Sequence, residues 1–233
     1  MTSAADQPPS RTHITRRHFV LGTVAVVGGG LALAWRNRER DSLAERPDVL
    51  EPNTFLQITP DGRIIFQLDK VEMGQGTMTG LATLVAEELD VDPARFEIRF
   101  APVLPVFQRP LQMTSQSRSM ADSWELLRET GAIARAMLLD AAADRWNIPA
   151  QRLRTDDGTV VHPATGQKLP YADLAAVAAQ LSPPLFVNLK PAAEYRWIGK
   201  HVPRLDLYAK VTGAAVYGLD IKRPGMLTAV IAR

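Results

Sequence analysis

Two short segments carry residue types and spacings suited to holding an anion. The first is KVEMGQGTMT over residues 70–79, where Gly74, Gln75 and Gly76 make a turn ahead of a helical pattern that begins at Met78. Glycines let backbone N–H groups approach a ligand closely, and the helix that follows directs the positive end of its dipole at the same spot. The Gln75 amide adds one group that donates and one that accepts. Such a turn suits a phosphate-bearing or ring-bearing cofactor better than a bare metal. The second segment is QMTSQSRSMADSWE over residues 112–125. Its Gln116, Ser117, Arg118 and Ser119 sit where a loop meets a helix N-terminus, a second place that favours an anion. Blander readings stand beside both: the glycines can simply turn the chain between strand and helix, and the hydroxyls can simply cap a helix.

A dinucleotide fold is the rival ligand-bearing reading. Its fingerprint needs G-x-G-x-x-G, and Gly74, Gly76 and Gly80 place the third glycine one residue late. The chain has no Gly-x-Ser-x-Gly elbow, no His-Glu-x-x-His and no Walker lysine. Asp69 and Glu72 fall on the loop itself and make a poor acid–base pair. With no cysteine, the chain can supply no thiolate to zinc or to an iron–sulfur cluster. Its four histidines, His13, His18, His162 and His201, lack metal-ligand spacing. No residue is assigned as a metal ligand or as a catalytic group, so a metal at this site would be held by something other than these side chains.

The elements that must position the two segments are legible in outline. Residues 55–58 and 63–68 flank Pro60-Asp61-Gly62, a hairpin signal. From Met78 to Leu89, apolar residues at 78, 81, 85 and 89 form one helical face, widened by Leu84. Phe96, Ile98 and Phe100 alternate with Glu97 and Arg99, as in a half-buried strand. Residues 101–118 read as a loop. Ser119, three residues before Asp122, reads as the cap of a helix that runs to about Trp146, with Trp124, Leu127, Ala134, Leu138 and Ala142 on its buried side. Asp157-Gly158 suggests a further hairpin, and Tyr171 opens an Ala-rich helix ending near Leu181. Pro183, Pro184 and Pro191 mark a connector. The expected fold class is α+β, with antiparallel strands and packed helices.

Read together with KVTGAAVYGLD over residues 210–220, the two segments resemble the N-terminal part of the molybdopterin-binding large subunit of the xanthine dehydrogenase and aldehyde oxidase family, most closely its isoquinoline 1-oxidoreductase β-subunit type. The resemblance spans residues 53–233. It departs at Ser115-Gln116, where many relatives carry a Gly-Gly pair. It implies a molybdopterin-binding-like α+β domain over 54–196 and a truncated start of an α/β-hammerhead domain over 197–233, in which Arg204 and Asp206 fall. It also implies that Gly74, Gln75, Gly76, Thr79, Gln116, Ser117, Arg118 and Ser119 bind a molybdenum–molybdopterin cytosine dinucleotide. The family's glutamate base belongs to a later part of the large subunit, past Arg233, and much of the cofactor site with it. On this reading the parent is a molybdenum-dependent oxidoreductase acting on an N-heteroaromatic or aldehyde carbon, and this segment alone is inactive. Implied partners are a small iron–sulfur subunit, a cytochrome as electron acceptor and a small-molecule substrate. The alternative is a truncated, non-catalytic exported module for binding or assembly.

Charge separates the N-terminus from the rest. Residues 1–47 hold a net +3 and residues 48–233 a net −1, so nothing argues for a nucleic-acid partner. Hydrophobic residues make up 46% of the chain, an ordinary share for a protein with a core of its own. Thr15-Arg16-Arg17-His18-Phe19-Val20-Leu21 resembles a twin-arginine export signal, followed by an uncharged run over 19–35 whose glycines lower its hydrophobicity. Ala32-Leu33-Ala34 has the form of a cleavage site. Residues 1–35 thus read as a signal leading to the periplasm, or as an N-terminal anchor if uncut, and 36–53 as a linker. Replacing Arg16 and Arg17 by Lys keeps the charge and removes the address. Cell fractionation should then find the precursor in the cytoplasm, and unchanged periplasmic delivery would refute the twin-arginine reading.

Overall fold

The computed structural model describes residues 48–108 and 112–232. The expected signal and most of the expected linker lie outside these residues. Four strands form the first sheet in the order β1 (Leu50–Asn53), β2 (Leu56–Ile58), β3 (Ile64–Leu68) and β4 (Phe96–Phe100). β1 occupies the end of the segment read as a linker. The β2–β3 hairpin closes where Pro60-Asp61-Gly62 predicts it. Gly62 takes a φ of 88° there and donates its N–H to the Thr59 carbonyl at 2.9 Å.

One pairing corrects the expectation of antiparallel strands. β4 runs parallel to β3, with Ile64 opposite Phe96 and Leu68 opposite Phe100. Between them lies α1 (Thr77–Leu89), and a helix inserted between two neighbouring strands returns the chain to the same end of the sheet, which makes the pair parallel. The sheet is therefore mixed rather than doubly wound. A second sheet, β5 (Arg154–Asp156), β6 (Thr159–Val161) and β7 (Lys168–Pro170), is antiparallel throughout. Asp157 and Gly158 both adopt positive φ in its two-residue turn, as a tight Asp-Gly hairpin requires.

The apolar face read for α1 is buried: Leu81, Leu84, Val85 and Leu89 are at most 1% exposed. Each such side chain stabilises the fold by about 1.5–3 kcal/mol relative to exposure. Across it lies α2 (Ser119–Trp146), which ends at Asn147 in the left-handed conformation with its N–H on the Ala143 carbonyl. The two helices approach closely at Gly131. A Cβ built there would sit 2.5 Å from the Val85 carbonyl oxygen and 3.0 Å from the Glu88 Cβ. Leu127, Ala134, Leu138 and Ala142 are buried as the pattern implies. Trp124 is instead 39% exposed, its ring 5.5 Å from the Arg128 guanidinium, which lies 5.1 Å from the Tyr195 ring as well. α3 (Tyr171–Ala178) packs on the same core and donates the Tyr171 hydroxyl to the Leu89 carbonyl at 2.7 Å.

Two adjacent, fully buried carboxylates finish α1. Glu87 accepts the backbone N–H groups of Arg196, Trp197 and Ile198 at 2.8–2.9 Å. Glu88 accepts from Arg128 at 2.6 and 2.9 Å, from Arg135 at 3.2 Å and from the Lys190 N–H at 3.1 Å. The Lys190 ammonium caps the helix end through the Glu87 carbonyl at 2.6 Å and also pairs with Asp90. Beyond Trp197 the described chain contains α4 (Leu207–Val211) and no strand. The run over 224–232 that reads as strand-like is irregular, with Val230 and Ile231 at least 90% exposed.

Gly131→Ala isolates the helix contact. Alanine is the better helix former by about 1 kcal/mol, yet its methyl would meet the α1 backbone, and overpacking costs about 1–3 kcal/mol. Urea unfolding should show a net loss of stability. A gain would mean that the helices part without cost.

Candidate functional site

The structure brings the two sequence-selected segments together. The Val71 N–H donates to the Thr114 Oγ1 at 2.8 Å, joining positions 43 residues apart. Within the first turn of each helix, a Cβ built on Gly80 of α1 would lie 2.9 Å from the Met120 sulfur of α2. The N-termini of α1 and α2 therefore sit side by side. Lys70 lies buried beneath the first loop, paired with Asp69 at 3.1 Å.

The inner face of the Gly-Gln-Gly turn corrects the expectation of an open anion cradle. The Glu72 carboxylate already accepts the N–H groups of Gly74 at 2.7 Å, Gly76 at 3.1 Å and Met78 at 2.9 Å. Gly76, left-handed at φ 88°, is the N-cap of α1 but has no side chain with which to cap it; Glu72 does so from four residues upstream. Burial raises the Glu72 pKa, but the N–H bonds from Met78, Gly76 and Gly74 outweigh it and hold the carboxyl below its usual range. This carboxylate shapes the loop and is a poor proton acceptor. Gln75 is turned inward too: its amide donates to the Val71 carbonyl at 2.7 Å and accepts the Met73 N–H. Thr79 accepts the Leu205 N–H at 3.0 Å. What remains available is the outer face of the turn, where a side chain added at Gly74 would meet open space.

The second loop is more open. Gln116, Ser117 and Arg118 are exposed, and Gln116 and Ser117 take consecutive left-handed conformations at φ 54° and 55°. Non-glycine residues rarely adopt such backbone, and the departure noted at Ser115-Gln116 puts a glutamine where a glycine would be at ease. Ser119 is not the cap: Arg118 holds that position without a side-chain cap bond, its N–H bonded to the Ser115 carbonyl at 3.2 Å and its guanidinium to Asp122 at 2.6 Å. The loop thus presents an amide, a hydroxyl and a guanidinium beside a helix N-terminus, a donor set that fits phosphate and pterin oxygens.

Sequence reasoning missed Glu72, Thr114 and Arg204 as members of this site. The Arg204 guanidinium donates to the Gly74 carbonyl at 2.8 Å and to the Glu72 carboxylate at 3.4 Å. The findable signal was the acidic residue four positions ahead of a glycine N-cap, where the helix dipole favours negative charge.

A family model described as a molybdopterin cofactor-binding domain matches residues 15–217. The beta subunit of isoquinoline 1-oxidoreductase from Brevundimonas diminuta is 31% identical over an alignment covering 99% of this chain and 35% of that protein. Membrane-bound aldehyde dehydrogenase (pyrroloquinoline-quinone) of Gluconacetobacter polyoxogenes is 31% identical over 76% of this chain and 23% of its own length. A nicotinate dehydrogenase subunit of Pseudomonas putida is 35% identical over 77% of this chain and 15% of its own length. The chain therefore spans about a third of the first relative and less of the other two.

Glu72→Gln should lower stability at neutral pH by about 1–3 kcal/mol, the range for hydrogen bonds to a charged group. Because the folded-state pKa is depressed, the native carboxylate stabilises above the ordinary value of about 4.3 and loses that effect as pH falls through the lower folded value. Urea titrations of both proteins should converge toward acid. A gap independent of pH would place the effect elsewhere.

Proposed function

This chain belongs to the molybdopterin cofactor-binding domain family, and we propose that it is the N-terminal part of a molybdenum hydroxylase large subunit, of the isoquinoline 1-oxidoreductase type. The parent enzyme oxidises an N-heteroaromatic or aldehyde carbon with oxygen taken from water. When bound, a molybdenum–molybdopterin cytosine dinucleotide supplies the redox chemistry. An iron–sulfur subunit receives the electrons, with a cytochrome as a further acceptor. Residues 197–233 open an α/β-hammerhead domain that continues in the longer subunit, and the twin-arginine leader delivers the folded protein to the periplasm.

The observation that carries this reading is the meeting of the two loops through Val71 and Thr114. Each loop precedes a helix N-terminus, so both place oriented dipoles where an anionic cofactor gains from them. Gln116, Ser117 and Arg118 supply side-chain contacts, and the consecutive left-handed residues expose the backbone of that loop. Gly74 and Gly76 admit the cofactor against the outer face of their turn, while Gln75 and Thr79 act inward and keep the turn in shape. Arg118 lends positive charge while Asp122 orients it.

Gly76→Val in the longer subunit tests the reading, because a β-branched residue resists the left-handed backbone there and would project toward the Arg204 guanidinium, whose Nη1 lies 3.8 Å from the Cβ position, so the turn loses its shape. Gly166→Val is the control, a positive-φ glycine in the turn before β7 with open space around it. Molybdenum and cytosine nucleotide per protomer should fall for Gly76→Val and hold for Gly166→Val. Full occupancy in a well-folded Gly76→Val protein would sink the proposal.

A further inference from the structure

We propose that residues 204–206 form a latch on the cofactor loop, with Arg204 as a positioning residue that touches no cofactor and acts through Gly74 and Glu72. The inference rests on the reading of the loop as a cofactor site and adds what gives that loop its shape. A turn with exposed Met73, Gly74 and Gln75 and with glycines at φ 101° and 88° has little packing to define it. Its definition comes from two sides. Glu72 holds the N–H of Gly74, and Arg204, 130 residues away, holds the carbonyl of the same residue at 2.8 Å. With both polar groups of one residue bound, the adjoining peptides cannot rotate freely.

The guanidinium is itself aimed. Asp206 accepts from its Nε at 2.9 Å and its Nη2 at 2.8 Å, a two-point grip that leaves Nη1 directed at Gly74 and brings Nη2 within 3.4 Å of Glu72. Lys210, one turn further on, pairs with the same Asp206. Glu72, Arg204, Asp206 and Lys210 thus form a charge-balanced group. The adjacent Leu205 N–H on Thr79 makes a second, independent attachment of this stretch of chain to the first turn of α1. The loop has its full set of bonds only when residues 204–206 are docked on it. Cofactor loading therefore depends on docking of this segment.

Amide hydrogen exchange on the 233-residue chain tests the latch directly. Arg204→Ala should speed exchange at Gly74, Gly76 and Met78 by roughly tenfold or more, as expected for losing a hydrogen bond network on a charged group, with α2 amides around Ala134 and Leu138 unchanged. Arg204→Lys keeps a cation beside Asp206 without the fork and should restore protection only in part. Thr79→Val, which removes the Leu205 attachment at nearly constant shape, should loosen the same three amides. Unchanged exchange at those amides in Arg204→Ala, or an equal rise across α2, would overturn the inference. In the longer subunit, Arg204→Ala should reduce molybdenum content where Gly166→Val does not. If Gly76→Val loses molybdenum while Arg204→Ala retains all of it, the latch fails and the cofactor site stands. If Gly76→Val retains it, the site reading fails, whatever the exchange result.

Discussion

Two glutamates with no exposed surface, Glu87 and Glu88, decide how this molecule is put together. A charge taken out of water costs several kcal/mol unless hydrogen bonds and opposite charge replace the solvent. Here the replacement comes from distant parts of the chain. Arg128 and Arg135 reach across from α2, Lys190 brings both its backbone N–H and its ammonium, and three consecutive amides at 196–198 close on Glu87. The end of α1 is thereby tied at one point to its neighbouring helix and to the connector. Removing a single partner would leave a buried carboxylate short of donors, so the contact discriminates strongly against other arrangements.

That junction also sets the geometry of the opposite end of α1. Close approach at Gly131 keeps α1 and α2 side by side, and the clamp on Glu87 brings the chain from 196 onward back along α1 toward its first turn, where Leu205 meets Thr79. The two loops meet because the helices they precede are locked together. The loop in front of α1 is shaped by an acidic side chain of its own, and the loop in front of α2 by a pair of residues in a backbone region costly to non-glycine residues. The first is held by internal bonds; the second is open to outside contact.

What was legible in the sequence was what local chemistry dictates. Pro60-Asp61-Gly62 and Asp157-Gly158 specify their hairpins through turn geometry alone, and the apolar spacing in α1 and α2 specifies which faces are buried. The direction of β4 was misread because alternation at 96–100 is silent on pairing, and it misled on burial as well, since Phe100 is 58% exposed; the intervening helix was the better guide. Glu87 and Glu88 escaped the sequence reading, which followed only the apolar residues of α1, since nothing nearby announces partners about 100 residues on. At the candidate site, the glycines and the serine-rich loop were found from their residue types, but the N–H groups expected to await a ligand proved to be held by Glu72. The carboxylate was in plain view in the motif. Its direction depended on the conformation of the two glycines between it and the helix, which spacing does not reveal.

The separation of Glu88 from Lys190 has a consequence in time. The two are 102 residues apart. At a synthesis rate of roughly 5–20 residues per second, about 5–20 s pass between the appearance of the glutamate and that of its distant donor. During that interval α1 and α2 are both available and can meet at Gly131, while one end of α1 must stay hydrated because the chain that will cover it has not been made. Glu88 can already meet Arg128 and Arg135 at that stage, since both belong to α2, while Glu87 keeps its water until the amides of residues 196–198 are made, so the connector closes a structure that the ribosome began assembling well before.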